Sequence, residues 1–179
     1  MKKIILLTFL FLSFTINAQK TVYIYNGSSK ILYVGNLKTK SLTSPNTYLV
    51  TNNYNVINGI LQPGQILILE NTTSATRFPF LYTSSQISNL SVVNWQRTIN
   101  NGATFSTVSN SAAYSANGAS QIFDRASFRI GTGGSLGSFT LGVGLPTIVS
   151  GSTWTADYTT NTDPNFPNLQ ETVITINDL

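Results

Sequence analysis

From residue 20 onward, apolar and polar residues alternate in short runs with a period of two, the spacing that puts successive side chains on opposite faces of an extended strand. The clearest case runs from Arg125 to Gly144. Ala126, Phe128 and Ile130 alternate with Arg125, Ser127 and Arg129. Beyond glycines at 131, 133, 134 and 137, Phe139, Leu141 and Val143 alternate with Ser138, Thr140 and Gly142. This pattern predicts an antiparallel hairpin with one apolar and one wet face.

Similar runs lie on either side of it. Thr21 to Tyr25 and Ile31 to Val34 flank Asn26-Gly27, a dipeptide that marks hairpins. Lys38 and Lys40 fall on a polar link. Tyr48 to Thr51 and Tyr54 to Ile57 read as short strands. Pro63-Gly64 supplies the fixed φ and the positive φ of a type II turn ahead of Ile66 to Leu69. Phe78 to Tyr82 reads as an edge or bulged strand because Pro79 cannot donate to a ladder. Val92 to Ile99 places Val93, Trp95, Arg97 and Ile99 on one face, and Asn101-Gly102 turns the chain into Thr104 to Val108. The small polar stretch 109–120 reads as a loop or a hairpin around Asn117-Gly118. Pro146 to Val149, Thr153 to Thr159 and Glu171 to Asn177 complete the set, with Asn161 to Gln170 predicted as a loop because of Pro164 and Pro167.

No window supports a long amphipathic helix. The Asn-Gly pairs at 26, 58, 101 and 117 keep no fixed interval, which disfavours a repeat architecture. About ten short strands point to an all-β, single-domain antiparallel β-sandwich of the jelly-roll kind.

The first eighteen residues have a different pattern. Lys2 and Lys3 precede an apolar run from Ile4 to Ile16, and Ala18 offers a cut ahead of Gln19. This predicts a signal peptide over 1–18 and a β-sandwich domain over 19–179, exported to the periplasm, the cell surface or the medium. Without Lys2 and Lys3, 8 basic residues face 6 acidic ones, so the +4 of the full chain falls to +2. That balance, with no basic stripe, gives no nucleic-acid partner. Charged residues make up 9% of the chain against about 25% in ordinary soluble domains, so Asn, Ser, Thr and Gln must carry the surface.

The chain contains no histidine and no cysteine. Imidazole- and thiol-based nucleophilic catalysis, zinc sites built on those ligands, and haem or iron–sulfur ligation are therefore excluded. No cofactor is predicted. Carboxylate chemistry of the glycoside-hydrolase type would need two acids across a cleft, and Asp124 is the candidate because the core phase of its strand runs through it. Either Arg97 or Arg125 could pair with it. Asp157, Asn161, Asp163 and Asn165 could offer oxygen to calcium near one loop, but in no EF-hand spacing, and no metal site is assigned.

The predicted ligand-binding residues are Trp95, Trp154 and Tyr158, whose flat faces suit sugar rings, together with Arg125 and Arg129. These two guanidinium groups are expected to rise from a floor of Ser127, Ser138 and Thr140, where they would meet an anionic sugar or a carboxylate. The sequence therefore points to a non-enzymatic binding module for a glycan or another surface protein. The alternatives are a small outer-membrane β-barrel, a structural protein of a surface assembly, or a carboxylate-based glycoside hydrolase.

Overall fold

A computed structural model describes residues 20–51, 56–57, 60–69, 77, 91–92, 94–132, 135–163 and 166–179. The predicted signal peptide and the Phe78–Tyr82 strand lie outside the described residues, as does Asn165. Among the described residues, fourteen strands form two packed sheets and a small ribbon. One sheet contains β1 (Thr21–Asn26), β6 (Ile66–Leu69), β12 (Ile148–Ser150), β13 (Trp154–Asp163) and β14 (Phe166–Asp178), in the order β12-β13-β14-β1-β6. The other contains β2 (Ile31–Ser41), β3 (Tyr48–Thr51), β8 (Asn94–Thr98), β9 (Ser106–Ser109), β10 (Gln121–Thr132) and β11 (Ser135–Gly142), in the order β11-β10-β2-β3-β8-β9. In that second sheet β5 (Ile60–Leu61) also pairs with β2, while β4 (Val56–Ile57) and β7 (Ser91–Val92) form the ribbon. Each sheet ends in edge strands, as an open sandwich does.

The alternating pattern decides what lies between the sheets. Val22, Ile24, Leu67, Leu69, Ala156, Ile174 and Ile176 of one sheet form a single buried cluster with residues of the other. The facing layer includes Leu32, Val34, Leu37, Leu49, Phe123, Ala126, Phe128 and Ile130. Gln170 joins the two layers. Its side-chain oxygen accepts the Phe123 N–H at 2.9 Å, and its amide donates to the Phe123 carbonyl at 3.3 Å. A buried backbone N–H and C=O are thus satisfied across the sandwich.

Several sequence expectations are met. The hairpin of β10 and β11 pairs Arg125 with Gly142 through to Thr132 with Ser135. Gly64 has φ +77, and the Gln65 N–H donates to the Gln62 carbonyl at 3.1 Å, closing the turn over Pro63. Asn101 and Gly102 both take positive φ between β8 and β9.

Other expectations are corrected. The Asn26-Gly27 corner does not close a hairpin, because β1 and β2 lie in different sheets. Asn26 is fully buried there, its amide donating to the carbonyls of Lys30 and Leu61 at 2.8 and 2.9 Å. Its side-chain oxygen accepts from the Ser28 N–H and hydroxyl. These bonds hold a crossover where a two-residue turn would have folded back.

The sheets are not wholly antiparallel either. β1 runs parallel to β14, from Thr21 opposite Glu171 to Asn26 opposite Ile176. Strands from opposite ends of a chain have no tight turn to dictate their direction. Lys38 and Lys40 belong to β2, where outward-facing polar side chains leave the ladder intact.

The predicted 161–170 loop is mostly strand, since Asn161 pairs with Glu171 and Thr162 with Gln170. The next pair, Asp163 with Phe166, shifts the register, so residues 167–169 oppose no β13 residue and Pro167 costs no ladder bond. Residues Asn110–Ala112 and Ala113–Asn117 are helical rather than loop or hairpin. Arg77 donates to the Tyr114 and Ser115 carbonyls of this segment. Lys20, itself buried, donates to those of Gly118 and Ala119 at 3.2 and 2.6 Å. Burial, helped by the Arg77 charge, lowers the Lys20 pKa to about 8.

Candidate functional site

The outward face of β10 carries Arg125, Ser127 and Arg129, with β2 on one side and β11 on the other. Arg129 lies opposite Tyr33 of β2 and Ser138 of β11, and Arg125 lies opposite Lys38 and Gly142. Between these two rows the strands fall out of step. Ala126 pairs with Leu37 but Phe128 pairs with Val34, so Gly35 and Asn36 together face the single residue Ser127. Two residues against one is a β-bulge, which bends its strand and re-aims the side chains around it. The Asn36 N–H is turned onto the Ser127 hydroxyl oxygen at 2.8 Å. Gly35 permits the close approach, because a Cβ there would lie 2.7 Å from that oxygen.

The result is a groove of about 300 Å³ on the outer face of the larger sheet. Its floor is Ser127, Gly35 and Thr140, and Tyr33, Arg129 and Ser138 stand along it. The volume sits at the small end of the roughly 300–1,000 Å³ typical of small-molecule sites. Underneath, the Phe128 ring stacks on Phe139 at 5.1 Å, and Phe139 lies 4.6 Å from Trp154. The groove therefore rests on a packed aromatic layer.

A second irregularity marks the far end. The register of β10 against β2 shifts between Phe123 and Arg125, leaving Asp124 as the extra residue. Phe123 turns inward and Asp124 forms ion pairs, with Arg125 Nε at 3.0 Å and Lys38 Nζ at 3.6 Å. Lys38 also lies 4.0 Å from the centre of the Tyr48 ring. Asp124 is 6% exposed and belongs to β10, which begins at Gln121. Its partner Arg125 is one of the two arginines expected, whereas Arg97 lies on β8. Two cations around one carboxylate leave a single positive charge at this end. Arg129 stands at the other end of the groove, with the hydroxyls of Ser127, Ser138 and Thr140 along it.

Of the five predicted binding residues, Arg125 and Arg129 share this face and the other three do not. Trp95 is fully buried, and Trp154 and Tyr158 are 8% and 6% exposed. Their rings fill the space between the sheets, so they present no platform to a sugar. The period-2 pattern already carried this outcome, because Trp154, Ala156 and Tyr158 occupy one phase of β13 and that phase faces inward. Burial raises the Tyr158 pKa, and the nearby Asp124 charge adds to the rise.

The oxygen groups proposed for calcium are also separated. Asp157 and Asn161 lie four residues apart along β13, roughly 13 Å at strand rise. Among the described residues, no three His, Cys, Asp or Glu side chains gather as metal ligands.

Sequence reasoning missed Gly35 and Asn36. The available signal was Gly35 itself, since a lone glycine inside a strand pattern marks a bulge or a close approach. No protein-family model and no curated protein matches the chain.

Proposed function

We propose that the protein is an exported, non-enzymatic binding module that holds a saccharide unit in the groove over Ser127. The observation that carries this reading is the bulge at Gly35–Asn36, which opens a recess in an otherwise continuous sheet face. The hydroxyls of Ser127, Ser138 and Thr140 match the many donors and acceptors of a sugar ring, and the flanking Tyr33 offers an apolar surface with a polar tip. The Asp124 carboxylate is engaged by Arg125 and Lys38, which favours a structural role over acid–base chemistry.

The test is a glycan array probed with the 19–179 chain and with Ser138→Trp. Ser138 is exposed on β11, so the indole fills the groove without entering the core. Loss of every signal in the variant supports the site. Equal binding by both proteins removes it.

A further inference from the structure

The edges of the two sheets are not alike. Among the described residues, β6, β9 and β12 end their sheets with only four, four and three residues. Shortness keeps an edge from pairing with another chain, and charges, prolines and bulges do the same. β11 uses none of these devices. It runs eight residues from Ser135 to Gly142, pairs with β10 without a register shift, and has no charged residue and no proline. Leu136, Gly137, Ser138 and Thr140 are exposed along it.

Two hydrogen bonds fix which backbone groups face outward from this edge. The Val143 N–H donates to the Asp124 carbonyl of β10 at 2.7 Å, while the Gly142 carbonyl accepts from the Leu145 N–H at 3.2 Å. Such groups alternate along a strand, so the N–H and C=O of Leu136, Ser138 and Thr140 point away from β10. We infer that a second copy of this chain pairs its own β11 antiparallel to this one, across a two-fold axis at Ser138.

In that register Ser138 lies opposite its own mate and Leu136 opposite Thr140, which makes roughly six backbone hydrogen bonds. An axis between two residues would set outward side chains against inward ones. An axis at Phe139 would bring Leu136 against Gly142, whose carbonyl is already engaged by Leu145. On the inward face, Gly137 of each copy then lies opposite Phe139 of the other, so a ring covers the edge where glycine has no side chain. The strand thus complements itself twice over, and no like charges meet across the seam. It also sets two copies of the groove on one continuous sheet face.

The chain contains no cysteine, so an introduced one reports its neighbour without ambiguity. Ser138→Cys in the 19–179 chain should give a disulfide-linked dimer on mild oxidation. Opposed residues of a hydrogen-bonded pair have Cα atoms about 5.5 Å apart, within disulfide reach. Leu136→Cys should not cross-link, because its mate would lie roughly 13 Å away along the strands. Sedimentation equilibrium should show a monomer–dimer equilibrium for the wild type and monomers for Ser138→Pro and Ser138→Lys. The proline removes an outward N–H and leaves the β10 ladder intact. The lysine puts like charges opposite each other, so added salt should partly restore its dimer.

A wild type that stays monomeric at its highest soluble concentration overturns the inference. So does a dimer that persists unchanged in either variant with its β-sheet circular dichroism intact. Cross-linking of Leu136→Cys as fast as Ser138→Cys overturns the register, and open-ended assemblies larger than a dimer overturn the two-fold closure. None of these readouts depends on saccharide binding.

Discussion

The two outward faces of the sandwich are built from the same kind of strand and present opposite surfaces. On the smaller sheet, β1 pairs with β6 and β14 without a register shift. Tyr25 lies between Ile66 and Thr175, and Tyr23 between Ile68 and Val173, so this part of the face is even, with Asp157 and Thr159 of β13 continuing it on the far side of β14. Tyr25 and Ile66 are 38% and 51% exposed. On the larger sheet, two register shifts between Phe123 and Phe128 of β10 produce a recess and an ion-pair cluster. Regular pairing spreads side chains evenly over a sheet, whereas a bulge withdraws some and crowds others together. The difference between a flat face and a candidate site is thus one extra residue on β2 and one on β10.

The strongest way to break the contrast is to remove the support beneath the groove. Phe128→Ala deletes the ring stacked on Phe139 and is expected to cost about 3–5 kcal/mol, read as a fall in the urea midpoint. Loss of the inter-sheet clamp comes next. Gln170→Leu strands the Phe123 N–H and C=O in the interior, at about 1–3 kcal/mol by the same measurement. Gly35→Val tests the bulge directly, because its Cβ would press on the Ser127 hydroxyl and the Ser127 carbonyl. A cost of about 1–3 kcal/mol should accompany loss of saccharide binding. Retained binding would place the ligand elsewhere.

A smaller effect appears in the pH dependence of stability. Lys20 has a folded pKa of about 8 against 10.5 ordinarily. Between those values the unfolded chain holds a proton that the native chain has released, so stability rises with pH across the window and is flat below it. Tyr158 acts in the opposite sense. Its raised folded pKa means that the unfolded phenol ionises first, and stability falls as pH climbs past 10. Thermal melts from pH 7 to 10 should therefore rise above pH 8 in the wild type and stay level in Lys20→Met. The smallest effect belongs to the flat face. Tyr25→Ser should change stability by no more than about 0.5 kcal/mol and leave groove binding untouched, since the side chain is partly exposed and lies on the opposite sheet.

The inward residues were legible before any coordinates. Ala126, Phe128, Ile130, Phe139 and Leu141 keep strict alternation, and burial on one face demands that pattern. The outward position of Arg125 and Arg129 follows from the same parity. Parity also assigned Trp154 and Tyr158 to the phase of Ala156, which is the buried one. Asp124 was harder, because the bulge breaks the phase: Phe123 and Ala126 both point inward although three positions separate them.

Sequence alone determined that this chain forms strands, which side chains those strands hide, and that neither imidazole nor thiol is available for catalysis. These are properties of single residues and their nearest neighbours. Tertiary structure decided that Asn26 bridges two sheets, that β1 lies parallel to β14, and that Gly35 and Asn36 share one partner. Each of these depends on which segments meet after folding, and alternation within one strand carries no information about the register of the next.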